Sequence, residues 1–130
     1  MPDISDVFIV DVSGKIGYRN TKHCVCISVS REKFFLINTS HREMYDDFTI
    51  KSSDYDFLGG IDRFVSCSMI HEFSPDKIIK KAGSLNFGDM ARIVNKIQNS
   101  RILDKVDKDS VIPELDKWLS DNMVQGKNDD

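Results

Sequence analysis

The sequence predicts an α+β domain: about five short strands in a small antiparallel barrel or curled sheet, then two or three C-terminal helices packed at one side. Three observations predict it. Apolar, β-branched and aromatic runs with strand-like alternation are confined to the first half, and helical periodicity takes over after residue 73. The third is length: 130 residues, 40% hydrophobic, suffice for one ordinary core. A single domain is expected over residues 1–122, with a loose polar tail at 123–130.

Each element has its own signal. "VFIVDV" (7–12) is a β-branched run closed by the turn residues of "SGKIG". "CVCISV" (24–29) sets Val25, Ile27 and Val29 on one face, with Cys24, Cys26 and Ser28 on the other. "SREK" separates it from "FFLIN" (34–38), a spacing that predicts an antiparallel hairpin. "DFTIKSS" (47–53) and "DRFVSCSMI" (62–70) read as further strands, joined through Gly59 and Gly60, which permit a left-handed turn. Ser74, Pro75 and Asp76 form a helix-start signal, and the helix they open is expected to stop at Gly83. Phe87, Met90, Ile93, Val94 and Ile97 make one apolar stripe of a second helix. "VIPELDKWLSDN" predicts a third, started by Pro113, with Leu115, Trp118 and Leu119 inward.

Composition narrows the function classes. The net charge of −3 hides an uneven distribution, with residues 13–42 and 77–103 each carrying +5 and the intervening 43–76 carrying −6. Two basic blocks split by an acidic one are what a polyanion-binding face requires, although the same pattern also serves as ordinary surface charge. No apolar run is long enough to span a membrane and the N-terminus is acidic, so a soluble, cytoplasmic protein without membrane partners is expected. Cys24, Cys26 and Cys67 lie in strand-like segments and predict buried free thiols; no metal site and no cofactor is expected, because no His/Cys set completes a four-ligand cluster. Asp46, Asp47, Asp54 and Asp56 lack the spacing of a calcium loop and read as a solvated acidic loop. "GSLNFG" lacks the Lys-Ser/Thr of a phosphate loop.

The succession "CVCISVSREKFFLINTS" and "IDRFVSCSMIHEFSPDKIIKKAGSLNFGDM" resembles the PemK/MazF-like toxins of bacterial toxin-antitoxin systems, over roughly residues 7–103. In that family a strand ends in Thr or Ser before a basic loop, and a later "D-S-x-V-x-x-x-x-I" segment leads through a short helix to a last amphipathic helix. The resemblance implies an SH3-like barrel that forms a homodimer, binds single-stranded RNA, pairs with an antitoxin protein and cleaves RNA without metal, using the 2′-hydroxyl as nucleophile. Such chemistry needs a proton acceptor, a proton donor and charge around the phosphorane.

Carried over by position, the family's catalytic Arg of "R-P-x-x-V-I" falls near Lys22 and His23, where the Arg-Pro pair is absent and Arg19 is the available substitute. The strand-end Thr matches Thr39. A polar pair of the later strand falls at Met69 and His71. The three histidines, His23, His41 and His71, each sit at an expected strand terminus; His41 and His71 make the better acid–base pair because both follow apolar strands. Thr39, His41, His71 and Arg19 are therefore the candidate catalytic residues. Lys22, His23, Ser40, Arg42 and Phe34 are the candidate RNA contacts, Phe34 either stacking a base or filling the core. Three readings follow: an endoribonuclease, a catalytically inactive RNA-binding barrel, or a protein-interaction module.

Overall fold

The computed structural model describes residues 3–13, 21–38 and 46–128, with side chains in the last segment up to Met123. Alternating apolar residues build six strands, β1 (Asp6–Asp11), β2 (Thr21–Ser28), β3 (Lys33–Asn38), β4 (Asp47–Ile50), β5 (Arg63–Glu72) and β6 (Ile78–Ser84). Two helices follow, α1 (Phe87–Asn99) and α2 (Lys105–Asn128). The strands form one antiparallel sheet in the order β4-β5-β3-β2-β1-β6. The predicted β2–β3 hairpin is present, with Val25 opposite Phe35.

Three expectations are corrected. First, the sheet is open among the described residues: four-residue β4 pairs only with β5, and β6 only with β1, so the edges do not close into the expected barrel. Second, the helix expected from Ser74 to Gly83 is absent. The start signal makes one 3-10 turn, Pro75–Lys77, and the chain continues as β6. Pairing with β1 takes the backbone groups that a helix would have used internally, and Lys80 and Lys81 keep this edge strand charged. Third, Asp46 and Asp47 are buried rather than solvated, and the Asp46 carboxylate accepts a 2.8 Å hydrogen bond from Ser100 Oγ at the α1–α2 junction.

Strict alternation splits the apolar residues between two clusters. Val7, Val25, Ile27, Phe35, Ile37, Val65 and Cys67 join the side covered by α1 and α2, through Met90, Ile93, Ile97, Val111 and Leu115. Phe8, Val10, Cys24, Cys26, Phe34 and Leu36 point the other way and pack with Phe73. The cysteines are free and buried; burial pushes the thiols of Cys24 and Cys26 up to about 12 and that of Cys67 higher still. No described helix is long and apolar enough to cross a membrane.

Helix α1 starts where the Asn86 side chain accepts a 2.8 Å hydrogen bond from the Asp89 N–H. Helix α2 begins eight residues before Pro113, after Asp104 Oδ1 accepts from the Asp107 N–H at 2.8 Å. Pro113 lies inside it, at a cost of about 3 kcal/mol in an isolated helix. Val111 and Leu115, both fully buried, bracket the proline and hold it by packing. The helix runs through Asn128, into the segment expected to be a loose tail.

Glu114 on α2 fastens the β2–β3 turn. Its carboxylate accepts from Ser28 Oγ (2.7 Å), Ser30 Oγ (2.8 Å), Val29 N (2.7 Å) and Ser30 N (3.2 Å). Burial raises the carboxyl pKa, but these four donors outweigh it and hold the group below its ordinary value. A depressed folded-state pKa stabilises the fold above the unfolded pKa, and that contribution disappears as pH falls through the folded one. Glu114→Gln is expected to cost about 1–3 kcal/mol at neutral pH. In urea denaturation the gap between the proteins should close as pH falls through the depressed folded-state pKa; a gap independent of pH would mean the charge is immaterial.

Candidate functional site

At one end of the sheet, β2 begins, β3 ends and β5 begins. Antiparallel register puts Lys22, His23, Asn38 and Arg63 together there: His23 lies opposite Ile37, Ile37 opposite Val65, and Asn38 opposite Phe64. Lys22 Nζ donates to Asn38 Oδ1 at 2.8 Å. His23 stacks on Phe57 with ring centroids 5.7 Å apart and planes 26° apart. Arg63, the first residue of β5, donates from Nη2 to the Leu58 carbonyl at 3.5 Å, and its Nε is buried without a hydrogen-bond partner.

Phe57 is fixed from several sides. It packs tilted against Tyr55 at 5.4 Å, and a Cβ placed on Gly83 of β6 would meet its ring at 2.7 Å. Only glycine at position 83 leaves room for the ring. Tyr55 is in turn anchored to Asp89. The platform under His23 is thus continuous with the first turn of α1.

The electrostatics follow from half-burial beside Arg63. Burial, then repulsion from Arg63, lowers the His23 pKa below its ordinary 6.5, so the imidazole is neutral at pH 7. Burial also lowers the Lys22 ammonium, with Arg63 adding to that effect and Cys24 opposing it. The result is an imidazole able to accept a proton and a guanidinium on one face of the sheet end, with an ammonium on the other face. Such a set can hold a phosphodiester and take up a hydroxyl proton.

The structure joins some of the expected residues and separates others. Lys22 and His23 meet at this end. Thr39, Ser40, His41, Arg42 and Arg19 lie outside the described residues; in sequence, Thr39 follows Asn38 directly. His71 is elsewhere: it pairs with Phe34 and stacks on Phe73 at 5.9 Å. Four residues of extended β3, roughly 13 Å, divide Phe34 from Asn38. Being at the end of a strand did not say which end of the sheet. Phe34 is also corrected, for it is 1% exposed, packed between Phe8 and Phe73, and presents no face to a base.

Sequence reasoning passed over Asn38 and Arg63. Their one usable signal was Arg63 two residues before Val65, on the same face of a strand. A cavity of about 210 Å³ at the opposite end, lined by Cys26, Phe34, Phe73 and Ile78 among others, shows no cation in its described lining and does not suit a phosphate.

No family model matches the chain, and no curated protein matches its sequence. Among solved structures, the fold is similar to an endoribonuclease in complex with its cognate antitoxin from Mycobacterial species, at a TM-score of 0.55 and 19% identity. The match covers 74% of this chain and 90% of that one. The chain thus resembles the PemK/MazF-like toxins in the order of its sequence segments, and it is similar in fold to an antitoxin-bound endoribonuclease.

Proposed function

We propose that this protein is a toxin-type endoribonuclease of a toxin-antitoxin system, cleaving single-stranded RNA without metal in the cytoplasm. The observation that carries the reading is the placement of His23 and Arg63 on one face of the sheet end, with the Lys22 ammonium at the same end on the other face. In the proposed reaction the 2′-oxygen forms a bond to phosphorus, its proton passes to neutral His23, and the bond from phosphorus to the 5′-oxygen breaks. The products are a 2′,3′-cyclic phosphate and a 5′-hydroxyl. The guanidinium or ammonium at this sheet end would meet the charge that develops on the phosphorane. Thr39, His41, Arg42 and Arg19 are the proposed source of the remaining contacts and of the proton for the 5′-oxygen. Ser40 is a further proposed RNA contact, and a homodimer and an acidic antitoxin are the proposed partners.

The separation of His71 from His23 favours a second reading, an RNA-binding sheet without catalysis. A panel of labelled single-stranded RNAs, incubated with and without EDTA, separates the two. Cleavage that survives EDTA, yields cyclic phosphate ends and stops at a 2′-deoxy linkage is the expected result. Salt-sensitive binding with no product would establish the second reading instead.

A further inference from the structure

We propose that Arg63 supplies the guanidinium of this site, binding an RNA phosphate beside His23 from the start of β5. The inference rests on the RNA-directed reading above and adds a residue that the sequence resemblance does not point to, since the family's Arg belongs to the start of the second strand. Here that position holds Lys22 and His23, and β5, on the far side of β3, carries the missing group.

Arg63 is an expensive residue at this place. It is half-buried, has no carboxylate within ion-pair distance among the described residues, and leaves Nε buried without a partner. Its one hydrogen bond to the Leu58 carbonyl is long, at 3.5 Å. Neighbouring Asp62 does not neutralise it; that carboxylate caps the Ser52 N–H at 2.8 Å. A half-buried guanidinium beside another cation, Lys22, is unfavourable in the empty protein, and a bound phosphodiester reverses the sign of that interaction. The planar fork presents paired N–H donors to phosphate oxygens, which the single point charge of Lys22 cannot do. Its charge also disfavours protonation of His23, so one residue both attracts the phosphate and keeps the neighbouring base free.

The test compares wild-type protein, Arg63→Gln and Arg63→Lys, each checked for an unchanged circular dichroism spectrum. Binding of a non-cleavable 2′-O-methyl RNA is measured against salt. Loss of one phosphate contact by Arg63→Gln should weaken binding and reduce the slope of log K on log salt by about 0.7. Arg63→Lys should keep the slope and still bind more weakly. By NMR, the His23 titration should move upward in Arg63→Gln and stay in place in Arg63→Lys. Cleavage by Arg63→Gln should fall by about 100-fold or more. If wild type binds RNA and Arg63→Gln matches it in affinity and slope, the assignment of Arg63 is overturned while the RNA-directed function stands. If wild type binds no RNA at low salt, both fall.

Discussion

Replacing His23 by alanine is expected to lower RNA cleavage by about 100- to 10,000-fold, the range lost with a positioned acid or base. His23→Gln should fall as far, since an amide keeps bulk and hydrogen bonding but accepts no proton at neutral pH. The pH profile gives the stricter check. A base works only when deprotonated, so the rate should drop as pH falls through the His23 pKa. Burial and Arg63 set that pKa below 6.5, placing the inflection on the acid side of an ordinary histidine. Both variants lose the stack on Phe57, worth about 1 kcal/mol, too little to mimic the kinetic loss by unfolding. Cleavage at the wild-type rate by folded His23→Ala would remove His23 from the chemistry.

The largest stability effect is expected at Asp89, where Asp89→Ala should cost about 2–4 kcal/mol, the sum of a lost charged hydrogen bond and a stranded donor. Asp89 is 8% exposed, and its carboxylate accepts from the Tyr55 hydroxyl at 2.5 Å and from Arg92 at 3.1 Å. The Tyr55 oxygen meanwhile accepts from the Asn86 N–H at 3.0 Å, so one phenol links the 3-10 turns after β4 to the start of α1. Burial, reinforced by Asp89, raises the Tyr55 pKa and keeps the hydroxyl protonated as a donor. Arg92 lies over the Phe48 ring at 4.3 Å and donates to the Thr49 carbonyl, tying β4 into the same group. Thermal melts should show a fall on the order of 10 °C. A double-mutant cycle with Tyr55→Phe should give a coupling of about 0.5–3 kcal/mol; strict additivity would mean that the two side chains act independently.

How far the sequence revealed this arrangement varies with the range of the interaction. The β2–β3 hairpin and the α1 stripe of Met90, Ile93, Val94 and Ile97 were legible because alternation and helical period are local properties. Segment 78–84 was not legible, because "IIKKAGS" suits either state and pairing with β1, far away in sequence, decided it. Phe34 was ambiguous for a related reason: both faces of this sheet are apolar, so alternation alone does not say which side meets solvent. The candidate site was legible only in part. Lys22 and His23 stood out as a basic pair at a strand start, whereas Arg63 reaches them through two strand registers that no local pattern encodes. His71 was paired with His41, which lies outside the described residues; the direction of β5 puts it at the end opposite His23.

The Glu114 clamp also bears on how the chain is born. Ser28 and Ser30 leave the ribosome long before their acceptor, since 86 and 84 residues separate them from Glu114. Until α2 emerges, the four β2–β3 turn donors that Glu114 accepts from have only water as a partner. A ribosome stalled before codon 114 would therefore display an unlatched β2–β3 hairpin.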